Sequence, residues 1–367
     1  MKKILLFIVL IETIFILFLV YHFRFYPDLS FLKTDQEPLV VMQDLPSPTP
    51  FVLGDMEIVG WFAAWDSAKA TDSLPAAIGS FTELAPMFYR IMPDSSLGLH
   101  NFSTRNYLVQ QANAENIPLL PIITDESDPD RVQELLDDGQ VQKDFIDELV
   151  SVAKEENYAG WSIDIESLKS QDKQAFSQFI KNVYTELHAN DLKLYVVVYG
   201  REENEKYDPA LAHDYATLGK YSDQIQVMTY NYNNDFTGPG GQAPLEWYRK
   251  VLEYATKSVP REKILVGLST HGYDWHGDET TGLTYPEVED LIEANDAKVT
   301  YNPDHSAKVA SYTTPAGVEH EIWFEDADTI TEKMEIARNE FGINKFAFWR
   351  TSAEDPRLYM EVEKLNP

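Results

Sequence analysis

Two acidic residues, Asp164 and Glu166, form the part of the sequence best suited to chemistry. They belong to residues 159–166, where polar residues alternate with large apolar ones, as in a strand with one polar and one apolar face. Helical patterns flank this stretch at about residues 141–156 and 171–189, which predicts a parallel strand covered by helices on its apolar face. Burying a carboxylate costs free energy, so buried acids usually have a function. Active sites of parallel β/α proteins lie at the carboxyl ends of the strands. The pair is therefore predicted to be catalytic, and a buried ion-pair network is the alternative.

The rest of the chain supplies more strands of the same kind. Eight short runs rich in aliphatic or aromatic residues are predicted as strands, namely residues 57–64, 81–89, 117–124, 158–166, 192–199, 224–230, 263–269 and 344–349. Helical patterns between them are clearest at residues 102–114, 141–156, 171–189, 209–218, 244–255 and 326–341. This alternation predicts an α/β fold of the (β/α)8 TIM-barrel class. Residues 280–324 are too long for one helix and are predicted as a small α+β insertion between strand 7 and helix 7.

The N-terminus predicts a membrane anchor. Residues 4–20 are strongly apolar except for Glu12 and Thr13, which favours insertion into a bilayer. No small-x-small cleavage site follows, so an uncleaved signal anchor over residues 1–24 is favoured over a cleaved signal peptide. The lysines near the N-terminus predict a single-pass protein of the cell membrane with the remainder extracytoplasmic. Residues 25–54 are predicted as a proline-containing linker, and residues 55–367 as the globular domain.

Composition restricts the classes of partner. The formal net charge is −30, which argues against nucleic acid or another polyanion as the main ligand. The chain has no cysteine, which excludes disulfides, zinc-thiolate sites and a thiol nucleophile. The hydrophobic fraction of 44% is ample for a core.

Aromatic and polar residues are predicted to surround the acids at the ends of the strands. Aromatic rings beside acids are typical of sugar sites, because a pyranose has an apolar face and several hydroxyls. The candidates for substrate binding are Trp61, Tyr89, Asn231, His271, Tyr273 and Trp349. Tyr230 and Trp349 could equally be core residues, and His271 could be a hydrogen-bonded loop histidine.

Several motifs resemble one family. Residues 159–166, AGWSIDIE, resemble the Asp-Gly-x-Asp-x-Asp-x-Glu strand signature of glycoside hydrolase family 18, the chitinase-type barrels. Further segments are similar to the branch that includes spore cortex and cell-wall N-acetylglucosaminidases, namely AHDY at 212–215, QVMTYN at 226–231, ILVGL at 264–268, GYDW at 272–275 and IWFED at 322–326. The resemblance covers about residues 57–358. Ala159, Ser162 and Asn231 stand where typical chitinases carry aspartates.

The resemblance implies a mechanism. Side chains two residues apart on a strand leave the same face roughly 7 Å apart, so Asp164 and Glu166 cannot flank a sugar from opposite sides, as a conventional acid and nucleophile must. In the family the substrate's own 2-acetamido oxygen attacks the anomeric carbon. Glu166 would then be general acid and base, Asp164 would orient the acetamido group, and Tyr230 would hydrogen-bond its carbonyl. The expected substrate is a β-linked N-acetylglucosamine glycan, and peptidoglycan is preferred to chitin. No metal or organic cofactor is expected.

Two other functions remain open at this stage. The departures at Ala159, Ser162 and Asn231 would also suit a chitinase-like barrel that binds carbohydrate without cleaving it. A metal-dependent deacetylase using His271, Asp274 and His276 is a weaker alternative, because their spacing is not a recognised ligand set.

Overall fold

The computed structural model describes residues 56–66, 74, 77–352 and 354–365. The predicted anchor at residues 1–24 and the predicted linker at residues 25–54 lie outside the described residues. Within the described part of the chain, no helix is both long enough and apolar enough to cross a bilayer.

The core is one curled, ten-stranded sheet, as expected for the predicted α/β class. Its strands are β1 (Glu57–Phe62), β2 (Glu83–Pro86), β3 (Tyr89–Ile91), β4 (Leu97–Leu99), β5 (Ile122–Thr124), β6 (Gly160–Asp164), β7 (Lys193–Tyr199), β8 (Gln224–Met228), β9 (Ile264–Ser269) and β15 (Lys345–Trp349). The order is β2-β1-β15-β9-β8-β7-β6-β5-β3-β4. All pairs are parallel except β3 with β4. All eight predicted strand positions are therefore occupied by strands.

The chain joins β2, at one end of this order, to β3, the second strand from the other end. The strands β2 and β3 are consecutive pieces of the second predicted strand, separated by Met87 and Phe88. The first piece pairs with β1 and the second with β5. Leu84 also forms a parallel bridge to Leu119, just before β5. The sheet thus curls back on itself, and its carboxyl ends surround one cleft.

Helices cover the outer face of the sheet. They are α1 (Arg105–Glu115), α2 (Pro129–Asp137), α3 (Gly139–Glu155), α4 (Lys173–His188), α5 (Asp208–Ala212), α6 (Tyr215–Lys220), α7 (Leu245–Ser258), α9 (Ala327–Phe341) and α10 (Leu358–Lys364). Their starts follow ordinary capping chemistry. The carboxylate of Asp138, for example, accepts bonds from the N–H groups of Gln140 (2.7 Å) and Val141 (3.1 Å) at the start of α3.

The polar and apolar faces of β6 point in the predicted directions. Trp161 faces outward, and its indole N–H donates to the carbonyl of Leu149 on α3 at 3.0 Å. Ser162 faces inward, and its hydroxyl donates to Gln226 on β8 at 2.7 Å. Asp164, two residues further along, therefore also faces inward.

The insertion is larger than predicted. It comprises β10 (His271–His276), β11 (Glu279–Thr284), α8 (Tyr285–Asn295), β12 (Lys298–Asn302), β13 (Ala307–Thr313) and β14 (Glu319–Phe324). We call residues 271–324 the insert. Its antiparallel sheet has the order β11-β10-β14-β13-β12. The boundary predicted at about residue 280 falls inside the hairpin of β10 and β11, because β10 was not predicted as a separate strand; β10 also pairs with β14, about 50 residues further along the chain.

A buried ion pair lies just after the insert, and its lysine also contacts the insert. The ammonium group of Lys333 on α9 lies 2.8 Å from a carboxylate oxygen of Glu325, just after β14, and donates to the carbonyl of Ser306 at 2.6 Å. Both charged side chains are almost fully buried. Removing one partner of such a pair leaves an uncompensated buried charge.

Replacing Lys333 is therefore expected to destabilise the protein strongly. Lys333→Met should lower the free energy of unfolding by about 3–5 kcal/mol, measured by chemical denaturation. The control is Lys257→Met on α7, because that lysine is exposed and its ion pair with Glu253 is a surface one. If the two variants unfold at the same denaturant concentration, the Lys333–Glu325 pair does not have the structural role assigned to it.

Candidate active site

The predicted catalytic residues meet in a cleft of about 620 Å³ at the carboxyl ends of the parallel strands. Asp164 is the last residue of β6, Glu166 follows two residues later, and Tyr230 follows β8. Trp61, Asn231 and Trp349, three of the predicted substrate-binding residues, also line this cleft. Tyr89, His271 and Tyr273 do not.

Asp164 is a buried carboxyl group with spare hydrogen-bonding capacity. The residue is 8% exposed, and its Oδ1 has no hydrogen-bond partner within the described structure. Burial raises the pKa of Asp164 well above its usual value, and the neighbouring carboxylates of Glu166 and Asp125 raise it further. A ligand that brings an N–H donor or positive charge to this position would satisfy the group.

Glu166 has the properties of a proton donor. Burial raises its pKa, and the charge of Asp125 adds to this effect. The hydroxyl of Tyr199 on β7 donates to Glu166 Oε2 at 2.6 Å and opposes the shift. A carboxyl group whose pKa is raised towards neutrality can protonate a leaving-group oxygen.

Asp125 fixes the backbone that carries Glu166. It follows β5 directly, is 1% exposed, and its Oδ2 accepts bonds from the N–H groups of Glu166 (3.1 Å) and Ser167 (2.8 Å) and from the Ser167 hydroxyl (2.5 Å). Glu126, the next residue, has a left-handed backbone conformation with φ of 51°. The sequence prediction missed Asp125, although an acid at the end of a predicted strand is the same signal that identified Glu166.

His213 holds two neighbouring strand ends together. Its Nδ1 accepts the N–H of Tyr199 at 3.1 Å, so its Nε2 carries the proton and donates to the carbonyl of Ile165 at 3.2 Å. Burial lowers the pKa of His213 to about 4, which keeps the ring neutral. The predicted helix at residues 209–218 is split into α5 and α6 at His213, where the backbone is extended. His213 positions Tyr199 against Glu166.

Tyr230 offers a hydroxyl donor on the floor of the cleft. Burial raises its pKa well above the usual value, and the charges of Asp164 and Glu166 add to the shift. Its hydroxyl therefore stays protonated at neutral pH. The ring packs edge-on against His271, with centroids 6.4 Å apart.

Aromatic rings form the wall opposite the acids. Trp349, at the end of β15, makes edge-to-face contacts with Trp61 (6.2 Å) and Trp65 (5.9 Å). Trp61 is 1% exposed and packs behind Trp349. Trp65 is 64% exposed and was not among the predicted substrate-binding residues. Trp65 lies in a short 3-10 turn after β1, outside the strand pattern on which the prediction depended.

The interpretation of Tyr89 as a substrate-binding residue is wrong. Its ring packs edge-on against Trp161 (5.0 Å), and its hydroxyl lies 3.3 Å from that of Tyr158, among residues that face the helix layer. In the sheet Tyr89 pairs with Ile123, and Arg90 pairs with Thr124, which lines the cleft. The break before β3 changes which residues face inward, so Arg90 lies in the cleft and Tyr89 does not.

His271 and Tyr273 lie beside the cleft on β10. His271 is buried, and its Nδ1 lies 3.1 Å from the Ser269 hydroxyl and 3.2 Å from the Trp349 carbonyl. Burial lowers the pKa of His271 to about 4. These contacts match the alternative interpretation of His271 as a hydrogen-bonded histidine beside the cleft. Tyr273 reaches the mouth of the cleft through its hydroxyl, which donates to Asn231 Oδ1 at 3.4 Å.

The alternation of β10 separates the proposed deacetylase ligands. His271 and Tyr273 point to one side of the strand, whereas Asp274 and His276 point to the other. His271 therefore does not form a ligand set with Asp274 and His276, and the geometry does not support the deacetylase hypothesis.

The curled β/α sheet and the cleft together define a carbohydrate-hydrolase type of site, with buried carboxyl groups beside an aromatic wall. Residues 57–354 match the family model described as glycosyl hydrolases family 18. The chain belongs to this family and is a glycoside hydrolase.

Several relatives agree with this assignment. One is the uncharacterized glycosylase YvbX of Bacillus subtilis, 30% identical over 241 residues that make up 65% of this chain and 70% of that protein. Another is the cortical fragment-lytic enzyme of Bacillus subtilis, 27% identical over 261 residues, 67% of this chain and 60% of that enzyme. The chain thus spans about three fifths of the latter's length.

Solved structures share the fold. A chitinase from Chromobacterium violaceum superposes with a TM-score of 0.77 at 24% identity, covering 84% of this chain and 98% of that one. The spore cortex-lytic enzyme SleL of Bacillus megaterium gives a TM-score of 0.75 at 22% identity, covering 84% of this chain and 73% of that one.

The contact between Tyr199 and Glu166 leads to a testable pH effect. The hydrogen bond stabilises the carboxylate and so lowers the pKa of Glu166. Tyr199→Phe should therefore raise that pKa and keep a general acid protonated to higher pH. We expect the alkaline limb of the kcat/KM profile to move to higher pH. Tyr184→Phe, on α4 and outside the cleft, should leave the limb in place. A downward shift for Tyr199→Phe would contradict the assigned role of Glu166.

Proposed function

We propose that this glycoside hydrolase cleaves β-linked N-acetylglucosamine glycans with retention, using the substrate's acetamido group as nucleophile. One observation carries the proposal. The acids among the described residues that line the cleft are Asp125, Glu126, Asp164 and Glu166, and all lie at or just after the carboxyl ends of the adjacent strands β5 and β6. The facing wall is aromatic. A conventional retaining pair needs carboxylates on opposite faces of the sugar, so the nucleophile is better supplied by the substrate.

The first step assigns a role to each of three side chains. Glu166 donates its proton to the glycosidic oxygen as the bond to the anomeric carbon breaks. The acetamido oxygen of the same sugar bonds to that carbon and forms a cyclic, positively charged intermediate. Asp164, with its free Oδ1, accepts the acetamido N–H and stabilises the charge. Tyr230 donates its hydroxyl to the acetamido oxygen and holds it in line.

The second step restores the enzyme. Glu166, now a carboxylate, removes a proton from water, and the oxygen of that water attacks the anomeric carbon. The cyclic intermediate opens, the acetamido group is regenerated, and the product keeps its original configuration. Trp349 provides an apolar surface for the sugar ring during both steps. The scheme requires no cofactor.

Peptidoglycan or its fragments are the proposed polymer, in preference to chitin. This choice is supported by the resemblance of the motifs to the cell-wall branch and by the cortical fragment-lytic relatives. We also propose that residues 1–24 anchor the protein in the cell membrane, with the hydrolase domain on the extracytoplasmic side. That location rests on the apolar run and the flanking lysines of the sequence.

The polymer is tested with the full chain purified in a mild detergent. Purified wall glycan and chitin oligomers are offered separately, and Glu166→Gln from the same preparation controls for contaminating enzymes. Release of N-acetylglucosamine-terminated products from wall glycan is expected. Cleavage of chitin oligomers but never of wall glycan would overturn the preference for peptidoglycan.

The location is tested in intact cells. Antibody detection of the hydrolase domain after mild protease treatment should show its loss from the cell surface, and alkaline extraction should leave the intact chain in the membrane fraction. A chain that is protected from protease, or that washes off the membrane, would contradict the proposed location.

A further inference from the structure

Three potential metal ligands meet on one face of the insert. Asp274 and His276 alternate along β10 and so point the same way, and His320 on β14 lies directly opposite His276 in the antiparallel pair. A carboxylate oxygen of Asp274 lies 2.7 Å from His320 Nδ1 and 3.5 Å from His276 Nδ1. One ligand atom from each residue lies within 4.8 Å of the other two. The cluster belongs to the insert and is separate from the acids of the cleft.

The carboxylate of Asp274 is buried and lacks a full set of partners. The residue is 3% exposed, and its Oδ1 is buried without a hydrogen-bond partner. Its ion-pair partners in the described part of the chain are His276 and His320, with no lysine or arginine. A buried carboxylate beside two imidazoles, which can be neutral, needs a cation or a proton to offset its charge.

We propose that Asp274, His276 and His320 bind a divalent transition-metal ion, with Zn²⁺ the best match. Two imidazole nitrogens and one carboxylate oxygen are ligands that Zn²⁺ accepts, and a water molecule would complete a four-coordinate site. Ligand atoms about 2.0 Å from Zn²⁺ in a tetrahedron are roughly 3.3 Å apart. The 3.5 Å separation of Asp274 from His276 is close to this value, and the 2.7 Å contact of Asp274 with His320 is a hydrogen bond that metal binding would replace.

A small rotation of the rings completes the site. The imidazoles of His276 and His320 are stacked, with centroids 4.7 Å apart and planes 7° from parallel. A metal lies in the plane of each ring that binds it, so the two rings must tilt towards a common point. Both side chains are partly exposed, at 21% and 13%, and have room to do so.

Two more side chains lie next to the cluster. Glu279, opposite His276 on β11, is exposed and places a carboxylate oxygen 3.7 Å from His276 Nε2. At this distance it adds negative charge beside the cluster without hydrogen-bonding the ring. Tyr312 on β13 stacks against His320, with centroids 4.4 Å apart.

The consequence of binding is structural. A metal would join β10 to β14 on the face opposite Tyr273, whose hydroxyl reaches Asn231 at the mouth of the cleft. It would thus stabilise the strand that carries Tyr273 without touching the substrate. This inference goes beyond the proposed function and does not depend on it.

The test uses the full chain without a histidine tag, stripped of metal by a chelator. Co²⁺ is titrated and followed by its visible absorption, and Zn²⁺ affinity is measured by competition with a coloured chelator. We expect one equivalent of metal per chain and a higher unfolding temperature with Zn²⁺. His276→Gln and His320→Gln should each weaken binding by about tenfold or more and abolish the stabilisation.

Two control variants make the result specific. His188→Gln removes a histidine that pairs with Asp223 outside the insert, and Tyr312→Phe keeps the ring that stacks on His320. Both should bind one equivalent of Zn²⁺ as tightly as the original chain. Absence of stoichiometric binding by the original chain, or undiminished binding by both His276→Gln and His320→Gln, would overturn the proposal. No step of the experiment measures glycoside hydrolysis, so its outcome is independent of the proposed function.

Discussion

Glu166→Gln is expected to lower kcat by about 10²–10⁴-fold while the Kd for an N-acetylated oligosaccharide changes little. The substitution keeps the size of the side chain and its capacity to accept the Tyr199 hydroxyl, but it removes the only proton that Glu166 can donate. A glycosidic oxygen leaves poorly without protonation. The loss should therefore appear in the chemical step and not in binding.

Binding and rate must be measured on the same preparation. Single-turnover rates with a defined oligosaccharide give the chemical step, and calorimetry gives the affinity. Glu340→Gln is the control, since this glutamate lies on the outer surface in an ion pair with Arg249 and should retain full activity. Equal activity of Glu166→Gln and the original chain would remove Glu166 from the mechanism. Absence of activity in both would favour a carbohydrate-binding barrel that does not cleave.

Asp164→Asn is expected to weaken a thiazoline inhibitor by about 10²-fold while affecting the hydrolysis product far less. A stable thiazoline resembles the cyclic intermediate, which carries positive charge beside Asp164, whereas the product is neutral. Asparagine keeps the shape and one acceptor oxygen but loses the negative charge. Because Asp164 is buried, water screens that charge poorly and its loss is felt strongly.

Inhibition constants for the thiazoline and for N-acetylglucosamine oligomers test this expectation directly. The ratio of the two constants is the informative quantity, because a general disturbance of the cleft would weaken both ligands alike. Ser162→Ala is a suitable control, since it lies on the same face of β6 and bonds Gln226 instead of the cleft. A ratio that stays constant in Asp164→Asn would show that the carboxylate does not stabilise the intermediate.

Local periodicity was sufficient to predict β6 and the direction of its acids. Trp161 and Ser162 point to opposite faces because a strand alternates, and that property is visible in eight consecutive residues. The same reasoning failed for Tyr89, where Met87 and Phe88 interrupt the strand and change the residues that face inward. Such a break depends on pairing with β5, which local sequence does not reveal.

The residues that modify the pKa and the position of Glu166 could not be predicted from local sequence for the same reason. Tyr199 and His213 act through contacts with residues 33 and 48 positions away in the chain. Their local patterns give no sign of these contacts, although His213 lies in the AHDY segment that resembles the family. The early start of the insert does have a local signal, because β10 pairs with the next strand, β11, in a hairpin as well as with the distant β14. Asp125 had a local signal too, because its position after a predicted strand could have identified it.

The central claim is that the substrate supplies the nucleophile, and one comparison of substrates tests it most directly. Two oligosaccharides are needed that differ only in the sugar at the cleaved position, which carries either a 2-acetamido group or a free amine. The measurement is kcat/KM for each, together with the Kd of each for Glu166→Gln. We expect both to bind and only the acetylated one to turn over, because among the described residues no cleft carboxylate lies on the wall facing Asp164 and Glu166. Cleavage of the free-amine substrate at a comparable rate would show that the nucleophile belongs to the protein or to water.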